Sequence, residues 1–182
     1  MRHLLITTAT LAAFASPILA AGSDDDEPPA KTKTTVECEE GQVWDEEKEK
    51  CVNAEDVKES NLGDDALYAI TRELAYDGQY DNALTILSAM SNQDDPRVLN
   101  YRGFIARQLG DIPTAFAYYE RAIDADPTYS LARSYYGQGL VSEGRYAEAF
   151  KQLYKIKKNG YRKTWAYASL ADTIRTGQPK AY

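Results

Sequence analysis

The stretch LNYRGFIARQLGDIPTAFAYYERAIDADP, residues 99–127, holds two short helical patterns joined at Gly110-Asp111-Ile112. Leu99, Gly103 and Ala106 recur at four and three, so they share one helix face and are expected to pack inward. Ala115, Tyr119 and Ala122 repeat that spacing beyond the turn. The same turn recurs at Gly78-Gln79-Tyr80 and at Gly144-Arg145-Tyr146, 32 residues before and 34 residues after. An alanine stands five residues beyond each glycine (Ala83, Ala115, Ala149), and a large apolar residue four further on (Leu87, Tyr119, Leu153). Such self-similarity marks a repeat architecture.

The first unit reads the same way. Leu67, Ile70 and Leu74 precede Gly78, and Ala83, Ile86, Leu87 and Met90 follow it, both with helical periodicity. Each glycine then sits where a helix ends in a left-handed residue. Links of two or three residues force the two helices back on each other as an antiparallel pair.

These helix pairs resemble the tetratricopeptide repeat, whose pattern is Trp-x2-Leu-Gly-x2-Tyr, then Ala-x3-Phe, then Pro. The second unit carries Leu99, Arg102-Gly103, Ala106, Ala115, Tyr119, Ala122 and Asp126-Pro127. The third has Tyr136-Gly137, Leu140, Ala149 and Leu153, but closes on Lys157-Lys158-Asn159-Gly160 without the proline. The first has Leu67, Ile70-Thr71, Leu74, Ala83, Leu87 and Pro96, and lacks the small first-helix glycine. A seventh pattern, Thr164 to Ile174, places Trp165, Ala168, Leu170-Ala171 and Ile174 on an apolar stripe and reads as a capping helix. The expected fold is all-α: a right-handed superhelical array of three helix pairs with a C-terminal cap over residues 62–178.

The resemblance implies a non-catalytic protein–protein interaction scaffold that holds a protein or peptide in a concave groove lined by the first helix of each pair. The residues left over from the inward pattern are Asp65, Tyr68, Arg72 and Tyr76, then Arg97, Asn100, Phe104, Arg107 and Gln108, then Ser134 and Gln138. Tyrosine, arginine and phenylalanine are contact hot-spot types. Phe104 and Arg107, three apart, are expected to face a ligand with no core role. The family's best-known groove grips a terminal carboxylate through Lys and Asn. Tyr68, Arg72 and Tyr101 stand at the matching places, so that specificity does not transfer.

Residues 1–22 show the layout of a secretory signal: Met1-Arg2-His3, an apolar run from Leu4 to Phe14, the breaker Ser16-Pro17 and the small residues Ala20-Ala21-Gly22. Cleavage is expected between Ala20 and Ser23. The mature protein is expected in the periplasm, with an extracellular location as the alternative. Residues 23–61 follow as an acidic low-complexity tail, 14 acids against 5 lysines. Within it, Cys38 and Cys51 are expected to pair in an oxidising compartment. The segment Cys38-x2-Gly41-x-Val43-Trp44-Asp45 resembles the hairpins of secreted cysteine-rich modules. As a hairpin outside the repeating core, it implies that reduction barely moves the thermal midpoint. Trp44 reads as hairpin packing, or as a contact for a partner or a sugar.

His3 is the only histidine and lies in the segment expected to be removed, which excludes imidazole catalysis and histidine-ligated zinc. Two cysteines cannot supply a four-ligand site. The net charge of −7 argues against a nucleic-acid partner. No cofactor is expected. The carboxylate pairs Asp94-Asp95 and Glu143 with Glu148 read as turn and capping residues rather than an acid–base pair.

Charge is divided along the chain: residues 64–126 hold 11 acids and 5 arginines, residues 127–182 hold 3 acids and 10 bases. Lys151, Lys155, Lys157, Lys158, Arg162 and Lys163 follow one another with no intervening acid. This basic end supplies the alternative function, binding an anionic envelope polymer or a membrane surface, a contact the scaffold reading does not require.

Overall fold

The computed structural model describes residues 30–59 and 62–179, so the signal reading and the acidic run before residue 30 lie outside it. From the N-terminus come a one-turn helix α1 (Lys33–Val36), a hairpin of β1 (Gln42–Asp45) and β2 (Lys50–Asn53), and a 3-10 turn over Ala54–Glu59. Helices α2 (Asp64–Tyr76) and α3 (Tyr80–Leu87) form the first pair, α4 (Pro96–Gln108) and α5 (Ile112–Ala125) the second, α6 (Ser130–Ser142) and α7 (Tyr146–Lys158) the third, and α8 (Trp165–Thr176) follows. The chain is thus mostly helical, with one antiparallel hairpin among the described residues.

The three turn glycines have the expected conformation. Gly78, Gly110 and Gly144 lie at φ of +85°, +84° and +74°, a region open to glycine without a Cβ penalty. The next residue in each turn donates its amide to a carbonyl five back: Gln79 to Leu74, Asp111 to Ala106 and Arg145 to Leu140, at 2.8–2.9 Å. This bond satisfies a helix-end carbonyl and reverses the chain within two residues. Asp95 begins α4 by accepting from the Arg97 amide at 2.8 Å, with Pro96 in the first turn.

The small positions set how closely the paired helices approach. Ala83, Ala115 and Ala149 are fully buried. A Cβ on Gly103 would lie 2.8 Å from the Tyr119 ring and 3.1 Å from the Ala115 carbonyl, closer than side-chain carbons come. Between repeats, the buried guanidinium of Arg133 on α6 donates to the Pro127 carbonyl at 2.7 and 3.1 Å and to Gln152 Oε1 on α7 at 2.9 Å. It fastens the exit turn of one repeat to both helices of the next.

Two sequence expectations change. On α8 the inward stripe is Ala166, Ser169, Leu170 and Thr173, Ala168 is exposed, and Trp165 is half-buried. The stripe is rotated because two polar residues, Ser169 and Thr173, satisfy their hydroxyls inside: Ser169 accepts from Gln138, and Thr173 donates to the Ser169 carbonyl. Secondly, residues 30–57 form a docked layer rather than a free acidic tail. Val43, Ala54 and Val57 are buried in the same core as Ala83, Ile86 and Leu87. The carboxylate of Glu73 on α2, itself buried, accepts from the amide and hydroxyl of Thr32 (2.7 and 2.6 Å) and of Thr35 (3.2 and 2.6 Å). Gly41 donates to Gln79 at 3.2 Å. Cys38 and Cys51 are disulfide-bonded and close the hairpin.

Candidate functional site

The first helices of the three pairs bring the expected groove residues together, but as a packed row. Tyr68 is 5 % exposed and Arg72 is 8 % exposed, while Asn100, Phe104, Ser134 and Gln138 are buried almost completely. Tyr76, Arg97 and Arg107 are half-buried, and of the expected groove residues Asp65 and Gln108 are exposed. Phe104, at 1 %, is therefore core, against the expectation that it faces a ligand.

Aromatic packing closes the row. Tyr68 meets Tyr101 edge-on at 5.5 Å, and its hydroxyl lies 3.0 Å from that of Tyr129. Tyr76 stacks on Phe104 and approaches Trp165 of α8 at 6.3 Å. Phe104 touches Tyr135 at 5.0 Å, Tyr135 stands edge-on to Trp165, and the Tyr76 and Tyr135 hydroxyls are hydrogen-bonded. Such ring pairs add about 0.5–1.5 kcal/mol each beyond the area they bury. Residues expected as surface contacts instead pack against one another, with Tyr68 and Tyr76 of α2 reaching Tyr129 and Tyr135 at the third pair.

The polar members are mostly occupied. Arg72 donates to the Tyr101 hydroxyl at 3.4 Å, and Arg107 to that of Tyr119 at 3.4 Å with its guanidinium 5.7 Å over Phe104. Gln138 donates to Ser134 and Ser169, and Ser134 to the Ala166 carbonyl at 2.8 Å. Asn100 differs: neither its amide nitrogen nor its oxygen has a partner, although both are buried.

At the entrance, Arg97 lies 5.1 Å over the Tyr68 ring and pairs with Asp95 at 3.0 Å and Asp65 at 2.8 Å. The Asp95 hydrogen bond, against the opposing cost of burial, holds the guanidinium even more firmly protonated than usual. For Asp95, burial pushes the carboxyl up, but the Arg97 side-chain and backbone hydrogen bonds outweigh it and leave the group below its ordinary value.

Three of the carboxylates considered for acid–base work are held in structural contacts: Asp94 pairs with Arg121 at 2.7 Å, Asp95 caps α4, and Glu148 pairs with Arg145 at 2.7 Å, while Glu143 is exposed at the end of α6. Among the described residues no three His, Cys, Asp or Glu side chains gather as metal ligands, and no helix is long and apolar enough to cross a membrane. Trp44 is half-buried beneath Lys33, whose Nζ lies 4.1 Å over the ring.

The basic set is open. Lys151, Lys155, Lys157 and Lys158 on α7, with Arg162 and Lys163 in the loop beyond, are all exposed. Beside them stand Tyr146, Phe150 and Tyr154, exposed aromatics that the sequence analysis did not single out. Their spacing of four, on a side of α7 turned away from the buried Ala149 and Ile156, was the available signal.

Residues 96–129, which span α4, α5 and the turn into α6, match the family described as Tetratricopeptide repeat. No solved structure matches the chain. Residues 96–129 are thus similar to a tetratricopeptide repeat, a class that generally serves in contacts between proteins, and the same glycine turn between paired helices recurs on either side of them.

Proposed function

We propose that the chain is a non-catalytic interaction scaffold of the cell envelope, which holds a protein or peptide partner at the mouth of its concave row beside Arg107 and Gln108. Gln108 carries this reading: it is the exposed end of the α4 face that runs through Asn100, Phe104 and the half-buried Arg107. Its amide offers a partner's backbone both donors and an acceptor. Export is supported by the layout of residues 1–22, and a disulfide suits an oxidising compartment.

A photo-crosslinking residue at position 108 in intact cells is expected to capture a protein that the same residue at Thr114, exposed on α5, does not. Arg107→Ala is expected to reduce that capture while the fold is kept. Equal capture from both positions, or capture indifferent to Arg107, would remove the concave row from the function.

A further inference from the structure

We propose that the outward face of α7 docks the protein onto an anionic lipid surface, a property beyond the scaffold reading. Tyr146, Phe150 and Tyr154 are 40 %, 55 % and 64 % exposed. Single exposed apolar residues need no explanation, whereas a contiguous stripe does. The other large exposed apolar residues among those described, Val36, Leu62 and Leu109, stand on separate segments. On α7 the three aromatics follow one another at i, i+4 and i+8, so they line one side of the helix. The Tyr146 hydroxyl sits close to Gly177 at the end of α8, where an added Cβ would come within 3.0 Å of it, so the stripe is anchored at that end.

Lys151, Lys155 and Lys158, four and three apart, run alongside the stripe, and Lys157 lies between Tyr146 and Phe150 in helical angle. Among the described residues none of these lysines makes an ion pair. The one acid on the helix, Glu148, is half-buried and engaged with Arg145. Exposed aromatic rings interleaved with unpaired lysines, on a helix whose other side is buried, are the composition of an interfacial surface: rings at headgroup depth, ammonium groups on lipid phosphates, lysine stems lying along the plane.

Shape favours a bilayer over an acidic protein. Protein hot spots fill enclosed, desolvated pockets. Here the rings are exposed along a helix whose buried residues are Ala149 and Ile156, with no enclosing pocket wall among the exposed positions beside them. A ridge of this kind presents itself to a plane, and the positive charge selects an anionic one.

The test uses the full protein and phosphatidylcholine vesicles with or without phosphatidylglycerol, read by co-sedimentation. Wild-type protein is expected to bind the phosphatidylglycerol vesicles at low salt, to release as ionic strength rises, and to ignore the neutral ones. Lys151→Glu with Lys155→Glu and Lys158→Glu should weaken binding by more than about tenfold. Phe150→Ala with Tyr154→Ala, which leaves the charge intact, should weaken it by about tenfold as well. Both variants should keep the wild-type circular dichroism, because the altered residues are exposed. No binding by the wild type, or binding that survives either variant, overturns the proposal. Capture of a protein by a crosslinker at position 150, without vesicle binding, overturns it in favour of a protein partner. None of these outcomes bears on capture at position 108, so the scaffold reading stands or falls separately.

Discussion

The Tyr76 and Phe104 rings lie parallel within 4°, their centroids 5.4 Å apart, joining the first repeat to the second. Phe104 also contacts Tyr101 and Tyr135, and it is buried. Phe104→Ala is therefore expected to cost about 3–5 kcal/mol through lost burial and the cavity left behind. Urea unfolding followed by circular dichroism measures this. An unchanged midpoint would mean that the row is loosely packed and open to a ligand after all.

Glu73 gathers four hydrogen bonds from Thr32 and Thr35. Glu73→Ala leaves these donors without their acceptor and should loosen the N-terminal layer by about 2–3 kcal/mol. Amide hydrogen exchange should accelerate over residues 32–57 while α4 to α7 keep their protection. Unaltered exchange there would assign the attachment to Val43 and Val57 instead.

The Cys38–Cys51 disulfide closes a hairpin whose Val43 is fully buried in the core. Cys38→Ser with Cys51→Ser should destabilise that layer by about 3 kcal/mol on the loop-entropy account. The thermal midpoint should fall by several degrees, contrary to the small effect expected of a hairpin outside the core. Calorimetry decides between them. In the wild type, intact mass should fall two hydrogens short of the reduced value.

The Asp95 carboxyl lies below its ordinary value of 3.8. Its contribution to stability is thus present above that value and is lost as the pH falls through the lowered one. Asp95→Asn keeps a capping side chain but cannot titrate, so stability should fall less steeply with acid below about pH 4. At neutral pH the cost should stay under about 1 kcal/mol, since the pair is partly solvated. A denaturation series from neutral to acid pH compares the two slopes; identical slopes would exclude Asp95 from the acid response.

The sequence made the turns and pairing legible because each rests on a local requirement. The left-handed backbone at 78, 110 and 144 favours glycine, and the fully buried positions 83, 115 and 149 hold alanine. The fate of the leftover first-helix faces was not legible. Every residue of α6 from Ser130 to Val141 is buried, including Arg133, Ser134 and Gln138, so that helix has no solvent face for a periodic pattern to reveal. Whether Tyr76 meets solvent or Trp165 depends on how the whole array bends, a relation over 89 positions that no window of sequence contains. The N-terminal layer escaped for another reason. Its attachment to Glu73 is polar, and hydrophobic periodicity does not register threonines that bond to a buried carboxylate.

A stack of repeats in which each unit touches only its neighbours behaves as an open spring, able to stretch or to unzip from either end. The hydroxyl contacts Tyr68–Tyr129 and Tyr76–Tyr135, with the approach of Tyr76 to Trp165, tie the first coil of this spring to later ones. Pulled from its ends, the molecule would therefore resist as a latched loop, yielding in one abrupt step when the tyrosines part and little before it.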